Sequence, residues 1–410
     1  MRTIAITLGD PGGIGPEVAL KALYRKSWPG NLRFVLIGSR AILRRQARQL
    51  SVPLPPEWHW HDALSGSATI VNWEPEQERN FELGLRYPSY VAAAPARARP
   101  GVTPWPPEES RLAALPDEST PSPARSATRS VAGGRARLQR LKSIGFKQPP
   151  MPLTWQPGVT GKAQARSVVR WIQAAVQGCR AGHFAALVTG PICKQSLALA
   201  GLPFAGHTEY LAALTLTRRY AMLLLGGSLR VVLVTRHLPL AKVPGAVSRS
   251  AIRMAAQLAA QALPWLGIKQ KTIGVCALNP HAGDEGLLGR EEIKTIIPAL
   301  RSLRRQGLSV EGPIAGDVIF HQARQGRYGA ILAMYHDQGL APLKMLAFDE
   351  GVNVTLGLPI VRTSPDHGTA FDIAGKGQAH AGSMAAAIRL AARLAYRRNP
   401  WGRAGAPGRT

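Results

Sequence analysis

The sequence predicts an α/β fold, with a parallel or mixed sheet covered on both faces by helices. Three observations predict it. Near-continuous apolar runs recur along the chain, as strands buried on both faces require. Segments of helical period separate them, and this alternation folds as layers of helix on sheet. The length of 410 residues is enough for two domains and a large buried core.

The elements follow in order. Thr3–Leu8 is a strand, and Gly9–Pro16 is a glycine turn. Helix Glu17–Arg25 opens with a proline near its start, where a missing N–H costs little. Phe34–Gly38 is a second strand, an Arg-rich amphipathic helix follows, and Ala68–Asn72 is a third strand. Residues 87–150 then hold eleven prolines among Ala, Arg and Ser, with no sustained period. Such a stretch does not fit as an ordered loop and reads as a low-complexity insertion. Order returns near Gly158, with helix Ala163–Gly178 and buried strand Ala185–Thr189 ending at Gly190-Pro191. The pattern then repeats as strand Leu229–Thr235, helix Ser248–Leu263, strand Thr272–Leu278 and helix Arg290–Arg305. Strands Ala330–Met334 and Val352–Leu356 and helix Ser383–Arg397 complete it.

The formal net charge of +27 raises a nucleic-acid reading. Residues 87–150 and 391–410 supply 11 of those charges. The arginines lie among Ala, Pro and Gly without aromatic interleaving, and no nucleic-acid motif accompanies them. A basic surface can also attract anionic substrates. Cys179, Cys193 and Cys276 form no CxxC pair, which argues against a disulfide scaffold or a cysteine zinc site. No apolar run reaches the roughly 18 residues of a membrane span. The N-terminal apolar stretch is shorter than a signal-peptide core, so a cytoplasmic protein is expected.

Three histidines share one context. His237, His281 and His336 each sit just beyond the C-terminal end of a buried strand, the edge where open α/β sheets bind ligands. Three neutral imidazoles there can hold one divalent cation and leave positions open to substrate. For any one of them alone, a loop histidine without a metal role is the alternative. A second set suits phosphate: Lys344 lies eight residues after His336, Asn353 and Arg362 follow at two further steps of nine, and His207-Thr208 sits in a short polar turn. Arg can bind phosphate bidentately, although Lys and Arg are more often solvated surface residues. The turn Gly9–Pro16 lacks the G-x-G-x-x-G dinucleotide fingerprint and its distal acid. It shapes the backbone, and a dinucleotide would bind elsewhere.

The segments ITLGDPGGIGPE (6–17), VTGPICK (188–194), GHTE (206–209), TRHLPL (235–240), LNPHAG (278–283) and YHDQGL (335–340) resemble the 4-hydroxythreonine-4-phosphate dehydrogenase family. So does the run from Asn353 through GLP (357–359), RTS (362–364) and DHGTA (366–370). The resemblance covers about residues 1–85 and 157–395, in the family's order. Gly12 stands where Ala is common and Cys193 where Asn is common.

The resemblance implies two α/β/α domains with a cleft between them, akin to isocitrate and isopropylmalate dehydrogenases. Residues 1–86 would begin the first domain and 87–156 would be the insertion. Residues 157–344 would form the second domain, with the metal site and part of the first. Residues 345–395 would return to the first domain with the cofactor loop, and 396–410 would be a disordered basic tail.

The implied reaction makes a pyridoxal phosphate precursor: NAD- or NADP-dependent oxidation and decarboxylation of 4-phosphooxy-L-threonine to 3-amino-2-oxopropyl phosphate. The implied metal ligands are His237, His281 and His336, for Zn, Mg or Co. The implied substrate contacts are His207, Thr208, Lys344, Asn353 and Arg362. Gly357, His367, Gly368, Thr369 and Asp372 fall in the implied cofactor segment. Lys194 and Asp337 are candidates for proton transfer, with a structural role as the alternative for each. A homodimer sharing its site between subunits is expected, with neither nucleic acid nor membrane as partner. The near alternative is a D-threonate or D-erythronate 4-phosphate dehydrogenase of the same family. A three-histidine zinc hydrolase, which would need no NAD, and a charge-driven nucleic-acid binder are the alternatives from other classes.

Overall fold

In the computed structural model the described residues are 1–24, 27–54, 57–58, 68–72, 156–202, 204 and 206–402. The expected insertion and the end of the basic tail lie outside them. The strands in chain order are β1 (Arg2–Thr7), β2 (Leu32–Gly38), β3 (Glu57–Trp58), β4 (Ala68–Asn72), β5 (Ala186–Thr189) and β6 (Ala221–Gly226). They continue as β7 (Leu229–Leu233), β8 (Ile273–Cys276), β9 (Val310–Ile314), β10 (Ala330–Ala333), β11 (Val352–Leu356) and β12 (Arg362–Pro365).

These strands form one 12-stranded sheet in the order β3-β4-β2-β1-β5-β12-β11-β6-β7-β10-β8-β9. Apolar runs account for most of it: Ile4, Ala5 and Ile6 of β1 and Leu187 and Val188 of β5 have no exposed surface. The sheet is mixed. β11 is antiparallel to both β12 and β6, and β6 is antiparallel to β7. All other neighbours are parallel. The strands on the two sides of this centre therefore run in opposite directions.

Four strands, β3, β6, β9 and β12, depart from the sequence expectations. β6 is joined to β7 by the two residues Gly227-Ser228, and Gly227 has φ +55°, which is hairpin geometry. β12 carries polar residues that its sheet neighbours bury, whereas β9, at the sheet edge, is half-exposed, and Glu311, Gly312 and Pro313 interrupt its apolar pattern. Helix Arg249–Leu266 runs one turn past its expected end. It starts where Ser248 Oγ accepts from Ala251 N–H at 3.1 Å and stops at Gly267, φ +79°, a conformation cheap only for glycine. The expected helix Arg290–Arg305 is instead a π-turn, Glu292–Ile296, followed by an α-helix, Ile297–Arg305. Pro298 lacks the N–H that a regular ladder would use there.

The glycine turn joins two strand ends. Gly9 has φ +73°, and a Cβ there would lie 2.2 Å from Pro191 O. Asp10 N–H donates to Pro191 O (2.8 Å), and the buried Asp10 carboxylate accepts from Gly12 N–H and Ser196 Oγ. Burial raises the Asp10 pKa, against those hydrogen bonds.

A buried latch ties helix Gly15–Tyr24 to the loop before helix Gly382–Ala395. Lys21 Nζ donates to Glu17 Oε1 (2.7 Å), Gly377 O (2.7 Å) and Ala379 O (2.8 Å). Ala379 N–H donates to the same Glu17 oxygen at 2.8 Å. Removing one member strands a buried charge, which costs about 3 kcal/mol, whereas replacing both apolar-for-ionic costs less. Lys21→Met is therefore expected to lower the urea midpoint markedly, and Lys21→Met/Glu17→Met to lower it less. Equal midpoints for wild type and the single variant would discount the latch.

Candidate functional site

The strand ends that carry the histidines are stitched together beyond the sheet. Val234 N–H donates to Ala333 O (2.9 Å), and the Thr235 N–H and hydroxyl both donate to Met334 O at 3.1 and 2.7 Å. Gln338 bridges the next pair, accepting from Met334 N–H and donating to Ala277 O, each at 2.7 Å. The rings of His237 and His336 come within 5.5 Å of each other, centroid to centroid. Burial, then the nearby Lys194, pushes the His237 pKa down to about 4, with Glu209 opposing. Its imidazole is therefore neutral near neutral pH, the state a metal needs. His336 Nδ1 lies 2.7 Å from Asp337 Oδ1. With Nδ1 donating there, Nε2 is left as the open acceptor, a usual arrangement for a metal-binding histidine. In this geometry Asp337 orients His336.

His281 stands apart from this pair. It is exposed and opens a run of left-handed backbone: His281, Ala282, Gly283, Asp284 and Glu285 have φ between 44° and 82°. Each non-glycine residue in that region costs about 1–2 kcal/mol, so neighbouring contacts must hold the turn. Glu292, 1% exposed, accepts from the N–H groups of Leu278 and Asn279 and from Asn279 Nδ2. Among the described residues, no three His, Cys, Asp or Glu side chains of one chain stand together as a metal site.

The anion-suited residues gather on β5, β11 and β12. Arg362 has 1% exposure, and its guanidinium donates to the Thr189 hydroxyl (2.7 and 3.2 Å) and the Thr355 hydroxyl (3.0 Å). Burial lowers its pKa to about 10, with Glu209 opposing. A buried cation with only neutral hydrogen-bond partners favours an incoming anion. Asn353 shares a face with Thr355 by strand alternation, and its Oδ1 is buried without a partner, as is His207 Nε2. Thr208 is buried in the first turn of helix His207–Leu214. Beside it, Glu209 pairs with Arg236 at 3.4 Å, and the Arg236 guanidinium stacks over the Tyr220 ring at 4.9 Å. Lys344 Nζ donates to Asp366 O (2.8 Å) and faces Asp366 Oδ2 at 3.4 Å.

Burial, then Arg362, lowers the His207 pKa well below its ordinary value. The folded chain therefore refuses a proton that the unfolded chain accepts below about pH 6.5. The stability tied to His207 is complete above that pH and declines as pH falls toward the folded value. Between about pH 6 and 5 the wild type is expected to lose up to about 1 kcal/mol per pH unit more than His207→Gln. Parallel denaturation curves for the two proteins across this range would contradict it.

Of the expected cofactor residues, His367 Nδ1 lies 3.0 Å from Gly368 O, and its buried Nε2 has no partner. Burial lowers the His367 pKa. Thr369 O accepts from Ile14 N–H at 2.9 Å, so the glycine turn lies against this segment. Gly357 has φ +89°, while Gly368 and Asp372 are exposed. Sequence reasoning did not single out Thr189, Glu209, Thr355, Asp366, Glu292 or Gln338. Thr189, Glu209, Asp366 and Gln338 lie inside quoted motifs. Thr355 carries no signal until the strands pair.

A family profile described as "Pyridoxal phosphate biosynthetic protein PdxA" matches residues 111–391. The chain is 38% identical over 397 residues to the 4-hydroxythreonine-4-phosphate dehydrogenase of Aromatoleum aromaticum, covering 97% of each chain. It is 50% identical over 248 residues to the enzyme of the same name from Caulobacter vibrioides, covering 59% of this chain and 74% of that one. The crystal structure of 4-hydroxythreonine-4-phosphate dehydrogenase from Klebsiella pneumoniae superposes with a TM-score of 0.70 at 30% identity, covering 96% of this chain and 100% of that one.

Proposed function

Because this chain belongs to the pyridoxal phosphate biosynthetic protein PdxA family, we propose that the site on β5, β11 and β12, with the strand-end histidines, oxidises 4-phosphooxy-L-threonine. The protein is a dehydrogenase of pyridoxal phosphate biosynthesis. No helix among the described residues is long and apolar enough to cross a membrane. The observation that carries the substrate reading is the buried Arg362 guanidinium, whose hydrogen bonds among the described residues go to threonine hydroxyls, beside His207 Nε2 and Asn353 Oδ1, unpartnered among the same residues. A phosphate monoester answers two of them, taking the charge of Arg362 and accepting from a ring N–H of His207, while Asn353 Oδ1 needs a donor, which the hydroxyl or ammonium group of the substrate supplies. Thr208 and Lys344 border the same substrate, and Lys344 supplies a second positive charge.

The residues fit a divalent cation. His237 is neutral, His336 is oriented by Asp337, and their rings are neighbours. His281 completes the set from a second copy of the chain in this reading, since it is exposed and no three-ligand cluster lies within one chain among the described residues. A bound Zn, Mg or Co ion supplies positive charge where the substrate hydroxyl loses its proton and where charge remains after carbon dioxide leaves. NAD, with NADP as the other choice, would supply the hydride acceptor for the carbinol carbon. Gly357, His367, Gly368, Thr369 and Asp372 lie along the segment that would border it. Lys194, close enough to His237 to act on its charge, takes the hydroxyl proton in this reading. Arg362 holds the phosphate so that the reacting carbon is fixed, a positioning contribution of several kcal/mol.

The test is NADH formation from 4-phosphooxy-L-threonine with and without a chelator, beside D-threonate and D-erythronate 4-phosphates. Metal-dependent turnover confined to the amino substrate is expected. Turnover of only the two non-amino substrates, or none with metal supplied, would overturn the reading.

A further inference from the structure

Glu292 has no part in the reading above, yet it is the most constrained carboxylate near the third histidine. It lies 11 residues beyond His281 and is 1% exposed, with no cation paired to it among the described residues. Both oxygens are spent on one target. Oε1 accepts from Leu278 N–H and Asn279 N–H, each at 2.8 Å, and Oε2 accepts from Asn279 Nδ2 at 2.9 Å. The neighbouring Glu291 takes the other Asn279 proton at 2.7 Å. Asn279 is two residues before His281, where the left-handed run begins.

The packing around the carboxylate is equally closed. A Cβ at Gly283 would lie 2.8 Å from Glu292 Oε2, and a Cβ at Gly289 would lie 2.4 Å from Asn279 Nδ2. The loop closes on itself through Leu288 N–H donating to Gly283 O at 3.1 Å. Glu292 also begins the π-turn Glu292–Ile296, a feature that often marks functional positions. A backbone so far from its ordinary minimum keeps one conformation only when its surroundings impose it. Here the buried Glu292 carboxylate fastens the backbone at the base of the turn, with Glu291 holding the Asn279 side chain beside it.

We infer that Glu292 is a positioning residue: by clamping Leu278 and Asn279, it fixes the left-handed turn that presents His281 to a divalent cation. This rests on the proposed role of His281 as a metal ligand. Supporting groups of this kind typically change metal affinity by 10–100-fold.

The experiment uses the full-length, metal-free protein titrated with Co²⁺, following the visible absorption of the bound ion. Glu292→Gln keeps the shape but puts an NH₂ group against N–H donors. It is expected to weaken Co²⁺ binding by about 10–100-fold and to alter the spectrum, at a temperature well below its melting point. His281→Ala is expected to weaken binding further. Asn279→Ala loosens the same clamp from the other side and is expected to weaken binding by a smaller factor. It also decides the matter if Glu292→Gln does not fold. If His281→Ala weakens binding while the clamp variants bind Co²⁺ with wild-type affinity and spectrum, the role of Glu292 is refuted and the ligand set stands. If His281→Ala itself binds as wild type, the ligand set fails, and the role of Glu292 fails with it.

Discussion

Chains carrying His237→Ala and chains carrying His281→Ala are each expected to lose about three orders of magnitude in metal-supported turnover, yet to recover activity when co-expressed. The loss follows from removing a ligand for a charge worth several kcal/mol to the reaction. The recovery follows from sharing. In the proposed dimer, the neighbouring His237 and His336 would belong to one chain's site, and the exposed His281 would reach the site of the second copy. In a mixed dimer one site carries both lesions and the other carries none. Random pairing makes half the dimers mixed, so about a quarter of wild-type activity should return. Specific activity of the co-expressed pair, normalised to dimer concentration, measures this directly. If the pair stays as inactive as its components, His281 serves its own chain and the shared site is wrong.

Arg362→Gln is expected to raise the KM for the phosphorylated substrate by about 100–1,000-fold, with the KM for NAD nearly unchanged. The basis is the fully buried guanidinium, whose hydrogen-bond partners among the described residues are Thr189 and Thr355. Two charge-assisted hydrogen bonds to a phosphate are worth about 3–4 kcal/mol together, which sets that range. The substitution also leaves two hydroxyls short of a donor, so some loss of thermal stability is expected. Steady-state rates at saturating NAD separate the two effects. Lower stability with an unchanged substrate KM would make Arg362 a structural strut between β5 and β11.

Much of the sheet was legible because burial on both faces demands apolar runs. β1, β2, β4, β5, β7, β8, β10 and β11 each coincide with such a run to within a few residues. β12 was not legible: Arg-Thr-Ser-Pro reads as a loop and becomes a strand only because β5 and β11 offer it free backbone edges. Arg362 was singled out as a phosphate group, but its burial depends on that pairing. The strand-end placement of the three histidines was visible from local context. Their separation into a neighbouring pair and a lone member was not, since it depends on the left-handed turn after Pro280. Gly283, His281 and Asp284 tolerate positive φ, but Ala282 and Glu285 oppose it, so local propensity alone does not foretell a run of five. The partner that imposes it, Glu292, lies in what the periodicity reads as a plain helix.

The central position of β12 bears on how the chain is made. β1 pairs with β5, almost 180 residues later, and β5 waits for β12, almost 180 residues later again. Contacts this distant in sequence form slowly. On the ribosome, the first strands emerge long before the edge that completes their side of the sheet. A message truncated before residue 362 would thus release a product whose earliest-made strands cannot close, with β5 left exposed along one edge. Such an edge invites aggregation, and a cell making this protein must shelter it until the last tenth of the chain is made.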